Sequence, residues 1–185
     1  MLRRRTFWAI TALTTAALGA TATPALAVTN APGQAVVACP TGWGSLTKTN
    51  SASTSGESIT DVRIGTHDCY DRLVIDVPGA AANQLGYTVR YVNQLIGDPS
   101  GEPIPVHGGA ILEVVVHAPA YDPDTGTPTY PGPDPDPAGY PTFRDVVYAG
   151  SFEGQTQFGL GVRARLPFRV LQLDGRLVVD VAHTW

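Results

Sequence analysis

Four histidines, two cysteines and a run of aspartates are the residues of this chain with the chemistry to hold a metal or move a proton. His67, His107, His117 and His183 are scattered, and none belongs to an H-E-x-x-H or comparable ligand pattern. Three of them stand in or beside alternating apolar runs, where a hydrogen-bonded structural histidine is expected. The serine of "GSFEG", residues 150–154, is one place away from the nucleophile-elbow position and lacks the strand-to-helix turn that exposes such a nucleophile. Asp122, Asp124, Asp134 and Asp136 share the segment "YDPDTGTPTYPGPDPDPAGYPT", residues 121–142. That oxygen-rich patch has the chemistry for calcium, but its spacing misses the EF-hand loop and its closing glutamate, so a solvated acidic loop is expected. No catalytic constellation and no cofactor follow from these residues.

What remains is a set of candidates for a binding surface. Trp43, Tyr91, Phe152 and Phe158 are aromatic residues with the flat, amphipathic faces that ligands stack upon. Arg72 and Arg176 point away from the apolar faces of their strands, as anion contacts or as solvated ladder charges. "FGLGVR" contains a G-x-G but opens no helix, so it makes no phosphate cradle. Gly159 and Gly161 flatten one face of that strand, for close backbone packing or for ligand stacking.

The elements that must position these residues are strands. "DRLVIDV", residues 71–77, returns as "GRLVVDV", residues 175–181, and each copy carries an arginine and an aspartate on one face. In "PFRVLQLDGRLVVDVAH", residues 167–183, Asp174-Gly175 between two alternating runs predicts a two-residue hairpin turn with both positions at positive φ. That turn pairs Leu173 with Arg176, Phe168 with Val181 and Arg169 with Asp180. It also gives one apolar face of Phe168, Val170, Leu177, Val179 and Val181. A related hairpin is expected over residues 59–77, with Arg63 and Asp76 in the places of Arg169 and Asp180 and with Val62, Ile64, Leu73, Ile75 and Val77 buried. Further strands are expected over residues 86–94, 146–152 and 158–162, and a hairpin across Gly108-Gly109 over residues 104–118. No segment has helical periodicity. The fold class is therefore all-β, an antiparallel β-sandwich of eight or nine short strands.

The amino terminus reads as a targeting segment. Arg3, Arg4 and Arg5 precede an apolar run that ends in Ala25-Leu26-Ala27, the pattern of a secretory signal peptide over residues 1–27. The run is too short for an integral membrane span. Arg4-Arg5-Thr6-Phe7 has a twin-arginine flavour, but paired cysteines form more readily in a chain exported unfolded, and this favours the general secretory route. Loss of the three arginines takes twelve basic residues to nine against sixteen acidic ones, a net charge of −7. Such a charge argues against nucleic acid and anionic membrane surfaces as partners. Residues 28–58 are rich in Thr, Ser, Ala and Gly and read as a flexible arm, with residues 59–185 as the domain proper. Cys39 and Cys69, the only cysteines, lack C-x-x-C spacing and read as one disulfide that staples part of the arm, contributing about 3 kcal/mol.

Taken together, "CPTGWGSLTK", "DVRIGTHDCYDRLVIDV", "YTVRYVNQLIGDPSGEPIPV", "VVYAGSFEGQTQFGLGVRARLPFRV" and "RLVVDVAH" resemble the AMIN-like domain of secreted proteins and lipoproteins from actinobacteria. The resemblance spans most of residues 36–183. It implies a β-sandwich related to the AMIN domain, a module that directs proteins to sites in the cell envelope, often through peptidoglycan, and that is built from two similar sheets. The implied function is that of a secreted, non-catalytic module that binds cell-wall glycan or an envelope protein. The alternative is an interaction or structural protein without glycan affinity, which meets a protein partner through strand edges or the acidic loop.

Overall fold

The computed structural model describes Cys39 and residues 42–185; the expected signal peptide and the arm up to residue 38 lie outside the described residues. Among the described residues, eleven strands follow one another without a helix: β1 (Lys48–Asn50), β2 (Asp61–Thr66), β3 (Tyr70–Asp76), β4 (Tyr87–Val92), β5 (Leu95–Ile96), β6 (Pro103–Ile104), β7 (Ala110–Val116), β8 (Phe143–Phe152), β9 (Gln155–Val162), β10 (Phe168–Leu173) and β11 (Arg176–Ala182). A five-stranded sheet has the order β1-β4-β7-β9-β8, a four-stranded sheet the order β10-β11-β3-β2, and β5-β6 form a small ribbon. Every pairing is antiparallel. The excess over eight or nine strands comes from β1, β5 and β6, which are too short to show an alternating pattern.

Alternation along each strand sends one row of side chains into a shared core. Val89, Leu112, Val114, Phe158 and Leu160 come from the larger sheet, and Leu73, Ile75, Phe168, Leu177 and Val179 from the smaller; all are fully buried in one cluster. Tyr91 and Phe168 meet edge to face across the two sheets, with ring centroids 5.7 Å apart.

The repeated strand has a geometric explanation. β3 and β11 lie side by side in one sheet, not one in each, and their register sets Arg72 opposite Asp180 and Asp76 opposite Arg176. Two antiparallel copies of an R-x-x-x-D strand place each arginine against the other's aspartate, so the motif is its own complement. Asp180 is fully buried and accepts from Arg72 Nε at 2.6 Å, Arg72 Nη2 at 2.9 Å and Arg169 Nε at 2.8 Å. Trp43 covers Arg169, whose guanidinium lies 4.4 Å from a Trp43 ring centroid, and Tyr70 packs beside both.

The β10–β11 register matches the sequence reading at every pair, including Phe168 with Val181 and Arg169 with Asp180. The turn differs: Gly175 has φ +69°, whereas Asp174 is not at positive φ. Both central positions of a hairpin loop are positive instead at Glu153 and Gly154, between β8 and β9, with φ 46° and 75°. In the β2–β3 hairpin, Arg63 stands opposite Val74 and reaches Asp76 diagonally. Four residues, 67–70, separate the last facing pair, Thr66 and Asp71, and the register is offset by two from the expected Arg63–Asp76 pairing.

The Gly108-Gly109 hairpin does not form. Pro103 and Pro105 lack the N–H groups that a ladder against β7 requires, so β6 pairs with β5. Residues 106–109 pass instead over the end of β9, held by His107 N donating to Asp145 Oδ2 at 2.8 Å and Gly109 N to the Val162 carbonyl at 2.8 Å.

Cys39 and Cys69 are bonded. The bridge ties Cys39, four residues before Trp43, to the loop before β3. Its reduction is expected to lower Tm by several degrees while a cooperative transition survives, because the two-sheet core does not depend on it. An unchanged Tm in a calorimetric scan with and without reductant would contradict a stabilising role.

Candidate functional site

The outward-facing side chains of the five-stranded sheet alternate with the core set. Arg90 on β4 stands opposite Glu113 on β7, which stands opposite Gly159 on β9. One step along, Thr88, Val115, Gln157 and Gly150 form the next outward row. Over this face lies a flap made of the β5–β6 ribbon and the chain that follows it to Gly109. The flap rests on the two glycines of β9. A Cβ at Gly159 would lie 2.5 Å from Leu95 Cδ2, and one at Gly161 would lie 1.9 Å from the His107 carbonyl oxygen. Gly159 and Gly161 therefore serve close packing of the chain on itself.

The flap stops short of the next row, and a cleft of about 290 Å³ opens between Ile96–Asp98 and the tip of the β8–β9 hairpin, where Gly150, Phe152 and Gln155 form the far wall. A bulge between Tyr148 and Gly150, with Gly150 at φ +127°, bends the hairpin there. Glu113 is 5% exposed and Gln157 9%. Arg90 Nε donates to Glu113 Oε2 at 2.6 Å. Gln157 Nε2 donates to Glu113 Oε1 at 2.8 Å and to the Ile96 carbonyl at 2.9 Å. Those two acceptors settle which end of the amide is nitrogen, and they leave Gln157 Oε1 buried with no protein partner. Ile96 and Phe152 are 42% and 40% exposed, so the polar floor is flanked by two apolar walls. A half-exposed ion pair between two apolar walls suits recognition of a ligand.

A second cleft, about 310 Å³, lies on the other side of the flap, lined by Tyr91, Asn93, Val106, Gly108, Ala110 and Arg165. The Tyr91 hydroxyl donates to the Leu166 carbonyl at 2.8 Å and accepts from Leu166 N at 3.0 Å, while the Arg165 guanidinium lies 5.1 Å from its ring centroid. Burial pushes the Tyr91 phenol from 10.0 up to about 12. The unfolded chain thus loses this proton at lower pH than the folded one. Stability fully present below pH 10.0 is expected to fall as pH rises toward 12, and Tyr91→Phe to flatten part of that fall in urea titrations. An identical pH dependence in both proteins would contradict the assignment.

The sequence candidates separate in space. Phe152 walls the first cleft and Tyr91 lines the second. Phe158 is fully buried in the core, which excludes it from any surface, because its position on β9 faces the opposing sheet. Trp43, Arg72 and Arg176 belong to the outer face of the four-stranded sheet, where Arg72 is bonded to Asp180 and Arg176 lies 3.8 Å from Asp76. These two arginines are ladder charges. Arg90, Glu113, Gln157 and Ile96 were not among the candidates; a glutamate within "AILEVVV" was the available signal.

The histidines are engaged structurally. His107 Nδ1 lies 2.9 Å from Asp145, His117 Nδ1 3.1 Å from the Ala52 carbonyl and His183 Nε2 3.0 Å from Asp71, and His67 stacks on Tyr70. In the 121–142 loop, Asp122 accepts from the backbone of Asp124 and Thr125, Asp134 from the Tyr130 hydroxyl and Tyr148 N, and Asp136 from Ala138 N. Among the described residues, no group of three or more His, Cys, Asp or Glu side chains is placed to hold a metal.

No curated protein and no solved structure matches this chain. The family model of the AMIN-like domain matches residues 57–183, a span that runs from just before β2 to the end of β11 and includes both clefts. This chain belongs to the AMIN-like domain family.

Proposed function

We propose that this protein is an exported, non-catalytic cell-envelope module that binds peptidoglycan or a wall-associated partner. Membership of the AMIN-like family supports an envelope-related, binding-type role. The observation that carries the reading is the cleft on the outer face of the five-stranded sheet, where the half-exposed Arg90, paired to Glu113, lies between exposed apolar walls. Small-ligand sites combine such walls with a few fixed polar groups. The disulfide agrees with passage through an oxidising compartment.

The test is co-sedimentation of the purified protein with isolated peptidoglycan sacculi across a salt series. Saturable pelleting that persists at high salt is expected, since the cleft relies on hydrogen bonds and apolar contact more than on net charge. Absence of pelleting at every salt concentration would overturn the direct wall-binding reading and leave a protein partner, to be captured by crosslinking at the cell surface.

A further inference from the structure

We propose that the cleft beside Tyr91 is a docking groove for an extended, acidic segment of a partner protein, whose backbone adds to the open edge of β4 and whose carboxylates meet Arg165 and Lys48. This surface is separate from the cleft over Glu113, and it stands or falls without regard to glycan binding there.

The open edge follows from the register. His117 N donates to the Gly86 carbonyl on the β7 side of β4 at 2.9 Å, and Thr49 Oγ1 to the Tyr87 carbonyl on the β1 side at 3.0 Å. Backbone groups alternate in direction along a strand, so those of Val89 and Tyr91 also face the β1 side. β1 begins at Lys48, opposite Val89, and the chain before it crosses to the other sheet, where the Gly44 carbonyl accepts from Phe168 N at 2.9 Å. Among the described residues, no strand pairs with this side of β4 beyond Val89. The N–H and C=O of Tyr91 therefore form a template for an added strand. At the other edge of the same sheet, the 121–142 loop takes that place: Asp134 Oδ2 accepts from Tyr148 N at 2.9 Å.

Charge selects the partner. Arg63, Arg72, Arg90, Arg169 and Arg176 are paired with carboxylates, and Arg144 and Arg163 bond backbone carbonyls. Lys48 and Arg165 are the remaining cations among the described residues, and both flank the open edge. Lys48 Nζ lies 4.0 Å from the centroid of the Phe168 ring, which meets Tyr91 edge to face, and Tyr91 in turn carries the Arg165 guanidinium. Their bonds within the chain are long: Lys48 to the Leu46 carbonyl at 3.3 Å, and Arg165 to the Ser45 hydroxyl and carbonyl at 3.4 and 3.3 Å. Arg165 is the one charged residue lining the cleft, so the groove is positive in a chain that is acidic overall. Burial lowers the Lys48 ammonium from its ordinary 10.5, as expected of a cation short of a counter-charge.

The rim is apolar. Leu46 and Trp185 are the most exposed large apolar side chains among the described residues, at 77% and 65%. Leu46 follows Ser45, and Trp185 Nε1 donates to the Arg165 carbonyl at 3.1 Å, so both stand beside the groove. They suit the apolar side chains that alternate with carboxylates along an extended segment.

The experiment is a titration of isotope-labelled protein followed by amide chemical shifts. The probes are blocked hexapeptides of valine alternating with glutamate, with glutamine or with lysine. The glutamate peptide should give saturable shifts at Leu46–Lys48, Tyr91–Asn93, Gly108–Ala110 and Arg165, with an affinity that falls as salt rises. The glutamine peptide should bind at least about fivefold more weakly, the scale of one lost charge-assisted hydrogen bond, and the lysine peptide more weakly still. Arg165→Gln, at an exposed position, should reduce binding of the glutamate peptide to the level of the glutamine peptide. Arg63→Gln, on the strand of the other sheet farthest from β10, should leave it unchanged. Backbone addition is read separately with glutamate peptides N-methylated at every valine or at every glutamate. One of the two should lose binding and the other keep it, because alternate N–H groups face the edge. Absence of saturable shifts, equal affinity for the three hexapeptides, shifts elsewhere on the protein, or an equal response to the two methylation patterns would each overturn the proposal.

Discussion

Asp180→Ala is expected to lower the unfolding free energy by about 3–5 kcal/mol, the range for breaking a buried ion pair by removing one partner. The carboxylate is fully buried and accepts three hydrogen bonds from Arg72 and Arg169. Its loss leaves two guanidiniums side by side beneath Trp43 and Tyr70, with their mutual repulsion uncompensated. Arg176→Ala is the contrast, because Arg176 is half exposed, its partner Asp76 is 3.8 Å away, and Asp76 keeps its bond to Arg63. A change below about 1 kcal/mol is expected there. Urea unfolding of the two variants measures the difference, and equal effects would contradict the view that one of the two cross-strand pairs anchors the sheet.

Gly161→Ala should destabilise the protein by about 3 kcal/mol, at the upper end of overpacking costs, and displace the flap. The new methyl would sit 1.9 Å from the His107 carbonyl oxygen and 2.9 Å from Asp145 Cβ, so it meets chain on both sides. The flap must lift, and with it the Ile96 wall of the cleft. Gly65→Ala on β2 meets nothing within 4 Å and should be neutral or slightly stabilising through reduced freedom of the unfolded chain. Hydrogen exchange at flap amides reads the displacement directly; unchanged protection in Gly161→Ala would show that the flap is not seated on β9.

The contrast between hairpins shows what sequence can and cannot specify. Asp174-Gly175 is a local signal, and the β10–β11 register follows from it residue by residue. The β2–β3 connection has two more residues between its last facing pair, and the pairs shift although the buried face of Val62, Leu73 and Ile75 is unaffected. The flap was invisible because two-residue strands have no period. Its trace in the sequence was indirect: Gly159 and Gly161 flatten β9 for something, and that something is residues 95–109 of the same chain.

The candidate site divides along the same line. Phe152 was a candidate on its aromatic character alone, and its place at a hairpin tip follows from the pairing of β8 with β9. Phe158 was misplaced because a strand's facing direction depends on which sheet it meets. Glu113 and Gln157 are 44 positions apart and become neighbours only through the pairing of β7 with β9. No local pattern brings such a pair together, and the unpartnered Gln157 oxygen is a property of the assembled sheet alone.

The proposed functional surface is the outer face of the five-stranded sheet, whereas the arginines on the outer face of the four-stranded sheet are held in ladder ion pairs. The most direct test compares Phe152→Ala with Trp43→Ala in co-sedimentation with peptidoglycan sacculi, at matched amounts of folded protein. The account predicts that Phe152→Ala loses most of its pelleting while Trp43→Ala retains it despite a lower Tm. Retained pelleting in Phe152→Ala together with loss in Trp43→Ala would contradict it and move the binding surface to the opposite side of the sandwich.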